Sequence, residues 1–223
     1  MKLDLNELLP YKEFSGGATP GLSSSLQQMP QLIEEGRVPI SVQGVLQQRL
    51  HSGKPDWKDN YFDTGDALAY HPDGKFKVVP DAQILRDMTE SSGLRSGALE
   101  LGDGVYESLE GQEFTRKDAE KWVERELTSQ EAKSNPLWRA LARDQDLLNE
   151  YVDAMFPEMK ERFDYDANMG IYLSSGDRTV PTARAALVGR LEGRSRLYGR
   201  DGLDFGVGRL VGVAPEALDS PDK

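Results

Sequence analysis

Glycine (22 residues) and proline (12) punctuate this 223-residue chain along most of its length, and that punctuation constrains its fold more than any other feature. Both residue types interrupt helices and strands, so the pattern is one of short elements joined by substantial loop. There is no heptad run and no internal repeat. A chain of this length still buries roughly 70% of its unfolded surface, so a hydrophobic fraction of 38% supplies a core. No linker defines a boundary. The expectation is a single compact domain over 1–223, with a soft division between a loop-rich part, 1–113, and a helical part, 114–223. The expected fold class is α+β: mostly helical, with a small β-hairpin or small sheet in the first half and a helical second half.

Local signals place the elements. Leu3, Leu5, Leu8 and Leu9 form a short strand or helical turn before Pro10, and 15–25 (SGGATPGLSSS) reads as a loop. A short helix is expected over 26–35. Ser41 caps the next, which carries Val42, Val45, Leu46 and Leu50 on one face. A hairpin is expected from 66–70 and 75–79 around His71-Pro72-Asp73-Gly74. Thr115 with Asp118, and Thr128 with Glu131, are capping-box patterns, and Asn135-Pro136 is a third helix start. The first places Ala119, Trp122, Val123 and Leu127 on one helix. The third opens a helix over 136–156 that continues to about Phe163. Residues 171–173 suit a short strand. A helix capped by Thr179 or Val180 is expected to turn Ala183, Ala186, Leu187 and Leu191 inward. Leu210, Val211 and Val213 suggest a final strand.

Composition removes several chemistries. There is no cysteine, which excludes disulfides, thiolate nucleophiles and cysteine-ligated zinc or iron–sulfur centres. No stretch approaches 18 apolar residues, so no membrane span is expected. The first ten residues, MKLDLNELLP, do not form a secretory signal, and a cytoplasmic location is expected. The formal net charge of −11 disfavours nonspecific binding to nucleic acid or anionic membrane.

The acids and the two histidines are the catalytic candidates. Asp63 and Asp66 flank a turn ahead of a strand, and paired carboxylates suit divalent metal or acid/base work. His71, in the hairpin turn, is a candidate base, while His51 suits a helix C-terminus. Asp164, Asp166 and Asn168 reproduce the first three alternating oxygen ligands of a calcium loop. The pattern then departs, with Met169 where the loop needs glycine and Ser175 where it needs glutamate. The glycine-rich 202–208 (GLDFGVG) lacks a preceding strand for a dinucleotide fingerprint.

The string YFDTGDALAYHPDG at 61–74 resembles a short motif of adenylate-forming enzymes. There an aromatic residue and Thr-Gly-Asp precede a hairpin with Asp-Gly. The resemblance implies a ribose-binding role for Asp66. It covers about 14 of 223 residues, and that family's phosphate loop ending in lysine is missing from this sequence.

Charge is segregated. Residues 178–200 hold Arg178, Arg184, Arg190, Arg194, Arg196 and Arg200, no lysine and one acid, Glu192, which makes this stretch +5, whereas 1–177 carries −13. Arginine is favoured where planar multidentate contacts to carboxylate or phosphate form. The segment is expected either to fasten the tail to the acidic body, to meet an acidic protein, or to hold a phosphate, nucleotide or nucleic acid. Arg184, Arg190, Arg194, Arg196 and Arg200 are the ligand-binding candidates. Trp57, in the polar loop KPDWKDNYF, either joins them or plugs the core edge. The leading expectation is a non-enzymatic binding or regulatory protein that holds an acidic partner or a phosphorylated ligand. The alternatives are a metal-dependent hydrolase or phosphoryl-handling enzyme, and a structural subunit of a larger assembly.

Overall fold

The computed structural model of the chain describes residues 10–14, 24–177, 179–205 and 208–214. The elements run β1 (Tyr11–Phe14), α1 (Ser25–Glu34), β2 (Val38–Pro39), α2 (Val42–His51), α3 (Pro55–Asp59), β3 (Phe62–Tyr70) and β4 (Lys75–Val79). They continue with α4 (Gln83–Arg86), β5 (Leu94–Arg95), β6 (Ala98–Glu100), α5 (Val105–Ser108), β7 (Gln112–Thr115) and α6 (Arg116–Ala119). The last are α7 (Ser129–Ser134), α8 (Pro136–Ala142), α9 (Gln145–Phe163), β8 (Ile171–Leu173), β9 (Thr182–Val188), β10 (Leu197–Gly199) and β11 (Arg209–Val213).

All eleven strands join one mixed sheet with the path β1-β11-β3-β9-β10-β8, and β2, β4, β5, β6 and β7 pair off that path. β1, near the start, pairs antiparallel with β11, near the end, and β11 runs parallel to β3. The sheet is covered on both faces. Leu68 and Tyr70 of β3 and Ala186 and Val188 of β9 pack under α2, α8 and α9. Their alternate neighbours Ala67, Ala69, Ala183 and Ala185 pack against Met29 and Leu32 of α1 and Leu85 of α4. Side chains alternate across a strand, so a strand covered on both faces reads as a continuous apolar run.

This corrects the expected fold class. The chain is α+β, but the sheet spans it from end to end, and nine helices are interspersed among the described residues. The second half is not all helical. The helix expected after Thr179 is β9, whose seven residues are all buried. Its run TARAALV mimics helical spacing because both faces are inside, and periodicity alone cannot separate the two cases. The helix expected from Thr115 through Leu127 ends at Ala119. The one expected over 136–156 is two. Arg143, in a left-handed conformation (φ 59°), closes α8, and Asp144 caps α9 by accepting from the amides of Asp146 and Leu147. The stretch 1–9 and most of 15–25 lie outside the described residues.

Candidate functional site

The arginine segment folds into one edge of the sheet. From β9 the chain turns through 189–196 and returns as β10, which pairs antiparallel with β9 and parallel with β8. That register sets Tyr198 beside Tyr172. Leu197, Gly199 and Ile171 are buried, so the two tyrosines, on the opposite phase of their strands, stand half-buried on the outer face. Their rings stack at 5.6 Å, 23° from parallel, and Tyr61 lies 6.4 Å beyond Tyr198.

Guanidinium groups flank this row of rings. Arg190 lies over Tyr61 at 5.6 Å, and Arg196 and Arg200 lie over Tyr172 at 5.2 and 5.0 Å. Glycines make the close packing possible. A Cβ at Gly189 would meet the Tyr198 ring at 3.2 Å, and one at Gly193 would meet the Tyr61 hydroxyl at 3.1 Å. Tyr61, Tyr172, Tyr198, Arg190, Arg196 and Arg200 thus form a continuous Tyr–Arg face.

The arginines of the segment differ in how firmly they are held. Arg184 is buried and donates to the carbonyls of Asp201 (3.0 Å) and Ser96 (2.6 Å). Burial pulls its pKa down. Arg196 binds Glu126 at 2.6 Å, and Glu126 also accepts from the Tyr172 hydroxyl and the Gly170 amide. Burial alone would lower the pKa of Arg196, but its hydrogen bonds to Tyr198 and Glu126 outweigh that and raise it. Arg194 donates to Ala167 and covers the ring of Tyr165 at 3.8 Å. Arg190 and Arg200 are looser. Their partners Glu192 (2.9 Å) and Glu124 (3.4 Å) are themselves exposed, and such pairs contribute about 0–1 kcal/mol each. Arg178 lies outside the described residues.

Backbone geometry sets the shape of the turn. Gly189 and Arg196 close it through an amide–carbonyl bond of 2.7 Å, Leu191 donates to Lys58, and Arg194 accepts from Met169. Arg194 (φ 65°) and Ser195 (φ 50°) are consecutive non-glycine residues in the left-handed region, at a cost of about 1–2 kcal/mol each.

The other candidates lie elsewhere. Trp57 is in the core, stacked on Phe62 at 4.9 Å and edge-on to Tyr11 at 5.5 Å. Asp66 is fully buried. It accepts from the amides of Val42 (2.7 Å) and Asp81 (2.9 Å) and pairs with Arg143, which also binds Asp81 at 2.6 Å. Its carboxylate joins α2 and α8 to the sheet, a structural role beside the ribose contact that the resemblance implied. Asp63 is buried too. Desolvation pushes its pKa up to about 6, the hydrogen bond to Ser25 opposes this, and Asp201 adds to it. One of its carboxylate oxygens has no partner among the described residues. His71 is in the hairpin turn with Nδ1 2.8 Å from Asp73. Asp164 and Asp166 are exposed and share Lys160, at 2.6 and 3.0 Å, whereas Asn168 is buried. Among the described residues no group of three or more His, Asp or Glu is placed to hold a metal ion. Nor is any helix there long and apolar enough to cross a membrane.

The arginines were visible in the sequence as a charge anomaly. The tyrosines were not, because residues 61, 172 and 198 are joined only by non-local strand pairing.

No protein-family model matches the sequence, and no curated protein matches it. Among solved structures the chain is similar to one described as the accommodation of massive sequence variation in Nanoarchaeota by the C-type lectin fold. The TM-score is 0.65 at 14% sequence identity, over 91% of this chain and 97% of that one. The likeness establishes a shared C-type lectin fold.

Proposed function

We propose that the protein is a non-enzymatic binding module that holds an acidic protein partner on its Tyr–Arg face. The observation that carries this reading is the unbroken row of three outward tyrosines flanked by arginines. Tyrosine and arginine are enriched where protein interfaces concentrate their binding energy, because each offers a large, rigid contact area with a polar tip. Arg190 and Arg200 supply the preference for acidic partners. Their exposed carboxylate partners are exchangeable, so a partner's Asp or Glu can replace them and engage the guanidinium in a bidentate contact. A protein is favoured over a free phosphorylated ligand because the face is an open row and not a closed cavity. The similar structure is described as accommodating massive sequence variation. Here a turn shaped by backbone bonds and buried residues leaves the outward side chains free to set what is bound.

The test is selection from a displayed random-peptide library on the purified chain, with binding then compared on the triple variant Arg190→Ala/Tyr198→Ala/Arg200→Ala. The recovered peptides are expected to contain Asp or Glu and to bind the variant at least about thirtyfold more weakly, which is about 2 kcal/mol. Peptides that bind both proteins equally would contradict the reading. Competition by millimolar inorganic phosphate would redirect it to a phosphorylated ligand.

A further inference from the structure

Arg49 of α2 is 1% exposed, yet it has no carboxylate partner among the described residues. Its five N–H donors are all used. Nε donates to the Trp57 carbonyl at 2.7 Å. One terminal nitrogen reaches the hydroxyls of Tyr151 (3.2 Å) and Ser195 (3.0 Å), and the other the carbonyls of Asn60 (3.2 Å) and Gly189 (2.9 Å). Tyr151 and Ser195 are also hydrogen-bonded to each other at 2.8 Å. Three of the five acceptors adjoin the Tyr–Arg face. Asn60 precedes Tyr61, Gly189 precedes Arg190 and lies under Tyr198, and Ser195 is one of the two left-handed residues.

A buried guanidinium without a counterion is costly and is tolerated only when every donor is satisfied. Left-handed non-glycine residues, in turn, persist only where the surroundings over-determine them. The two features meet at one point. We propose that Arg49 is the positioning residue of the Tyr–Arg face: its guanidinium ties the left-handed turn at 189–196 to the strand entry at Tyr61, and so fixes the spacing of the tyrosines and arginines. This inference rests on reading that face as the binding surface. Arg49 itself is out of a partner's reach and acts through Gly189, Ser195 and Asn60. Lysine cannot replace it, because three donors on a single nitrogen do not reach five acceptors spread over three segments.

Amide hydrogen exchange on the full chain, wild type and Arg49→Lys, tests this at a temperature where circular dichroism shows both folded. The amides of Gly189, Leu191, Arg194 and Ser195 are expected to exchange at least about tenfold faster in the variant, while those of β3 and β9 keep their rates. A uniform acceleration across the sheet, or an unchanged turn, would overturn the proposal. If Arg49→Lys does not fold, Ser195→Ala removes one of the two acceptors that the turn offers Arg49, together with the Tyr151 bond, and is expected to give the same local pattern, with the same result overturning it. In a second arm, the strongest acidic peptide from the library is titrated into both proteins, and its affinity for Arg49→Lys is expected to fall about tenfold. Equal affinity in a folded variant would also overturn the positioning role. If the library yields no peptide that depends on the face, the reading of the face fails, while the exchange arm still decides the role of Arg49.

Discussion

Tyr172 and Tyr198 occupy paired positions on the parallel strands β8 and β10, with their rings stacked 5.6 Å apart on the outer face of the sheet. Tyr198 also packs toward Tyr61, which makes it the centre of the row. Tyr198→Ala is therefore expected to weaken acidic-peptide binding by about 2 kcal/mol or more, the range of an interface hot spot. Its neighbours Leu197 and Gly199 carry the core side of the strand, so the melting temperature should change little. Fluorescence anisotropy and thermal denaturation of the same variant check both halves.

Glu124 and Glu126 should behave in opposite ways. Glu124 is exposed and only loosely engages Arg200 at 3.4 Å. Glu124→Gln is expected to release Arg200 and strengthen acidic-peptide binding by a factor of about two to five, consistent with a weak exposed pair. Glu126 ties together Arg196, Tyr172 and the Gly170 amide. Its replacement by Ala should weaken binding and destabilise the chain by about 1–3 kcal/mol, because three donors lose their acceptor. Paired measurements of Kd and chemical denaturation distinguish the two residues.

Asp63 makes stability depend on pH in an unusual direction. Its pKa in the folded chain is pushed up to about 6, from an ordinary 3.8. The folded state therefore holds this proton more tightly than the unfolded state. The contribution to stability is complete below about 3.8 and is lost as the pH rises through about 6. Asp63→Asn should remove that slope and raise stability at pH 7 by about 2–3 kcal/mol relative to wild type. Denaturation curves of both proteins between pH 4 and 7, an interval of about three units around this shift, check it. Equal slopes would contradict the assignment.

The pair of the buried Asp66 with the partly exposed Arg143 should be structural. Asp66→Ala leaves Arg143 with Asp81 alone and removes the acceptor of the Val42 and Asp81 amides. A loss of about 1–3 kcal/mol is expected, as for leaving a buried donor without its acceptor. Peptide affinity should be unchanged wherever the variant is still folded.

The sequence carried the fold unevenly, for a physical reason. Helix starts are local. Ser41, Thr128 with Glu131, and Asn135-Pro136 all make the capping contacts that their spacing implies. The strands depend on what covers them. β9 lies between two packed layers, so its alanines gave no alternation to read. The break between α8 and α9 has no local signal either, because Arg143 carries no sign of its left-handed conformation. At the proposed site, arginine content marks part of the chain that forms the Tyr–Arg face. Composition could not tell bolted arginines such as Arg184 and Arg196 from loosely paired ones such as Arg190 and Arg200, nor reveal that Arg49, well outside the segment, holds its turn.

The central claim is that the Tyr–Arg face is the binding surface. Its most direct test is an NMR titration of the isotopically labelled chain with the strongest acidic peptide from the library. Shift changes concentrated at Tyr61, Tyr172 and residues 189–200 are the predicted result. Changes concentrated instead in the groove lined by Val152, Phe156, Pro157 and Lys160, with the Tyr–Arg face unmoved, would contradict it.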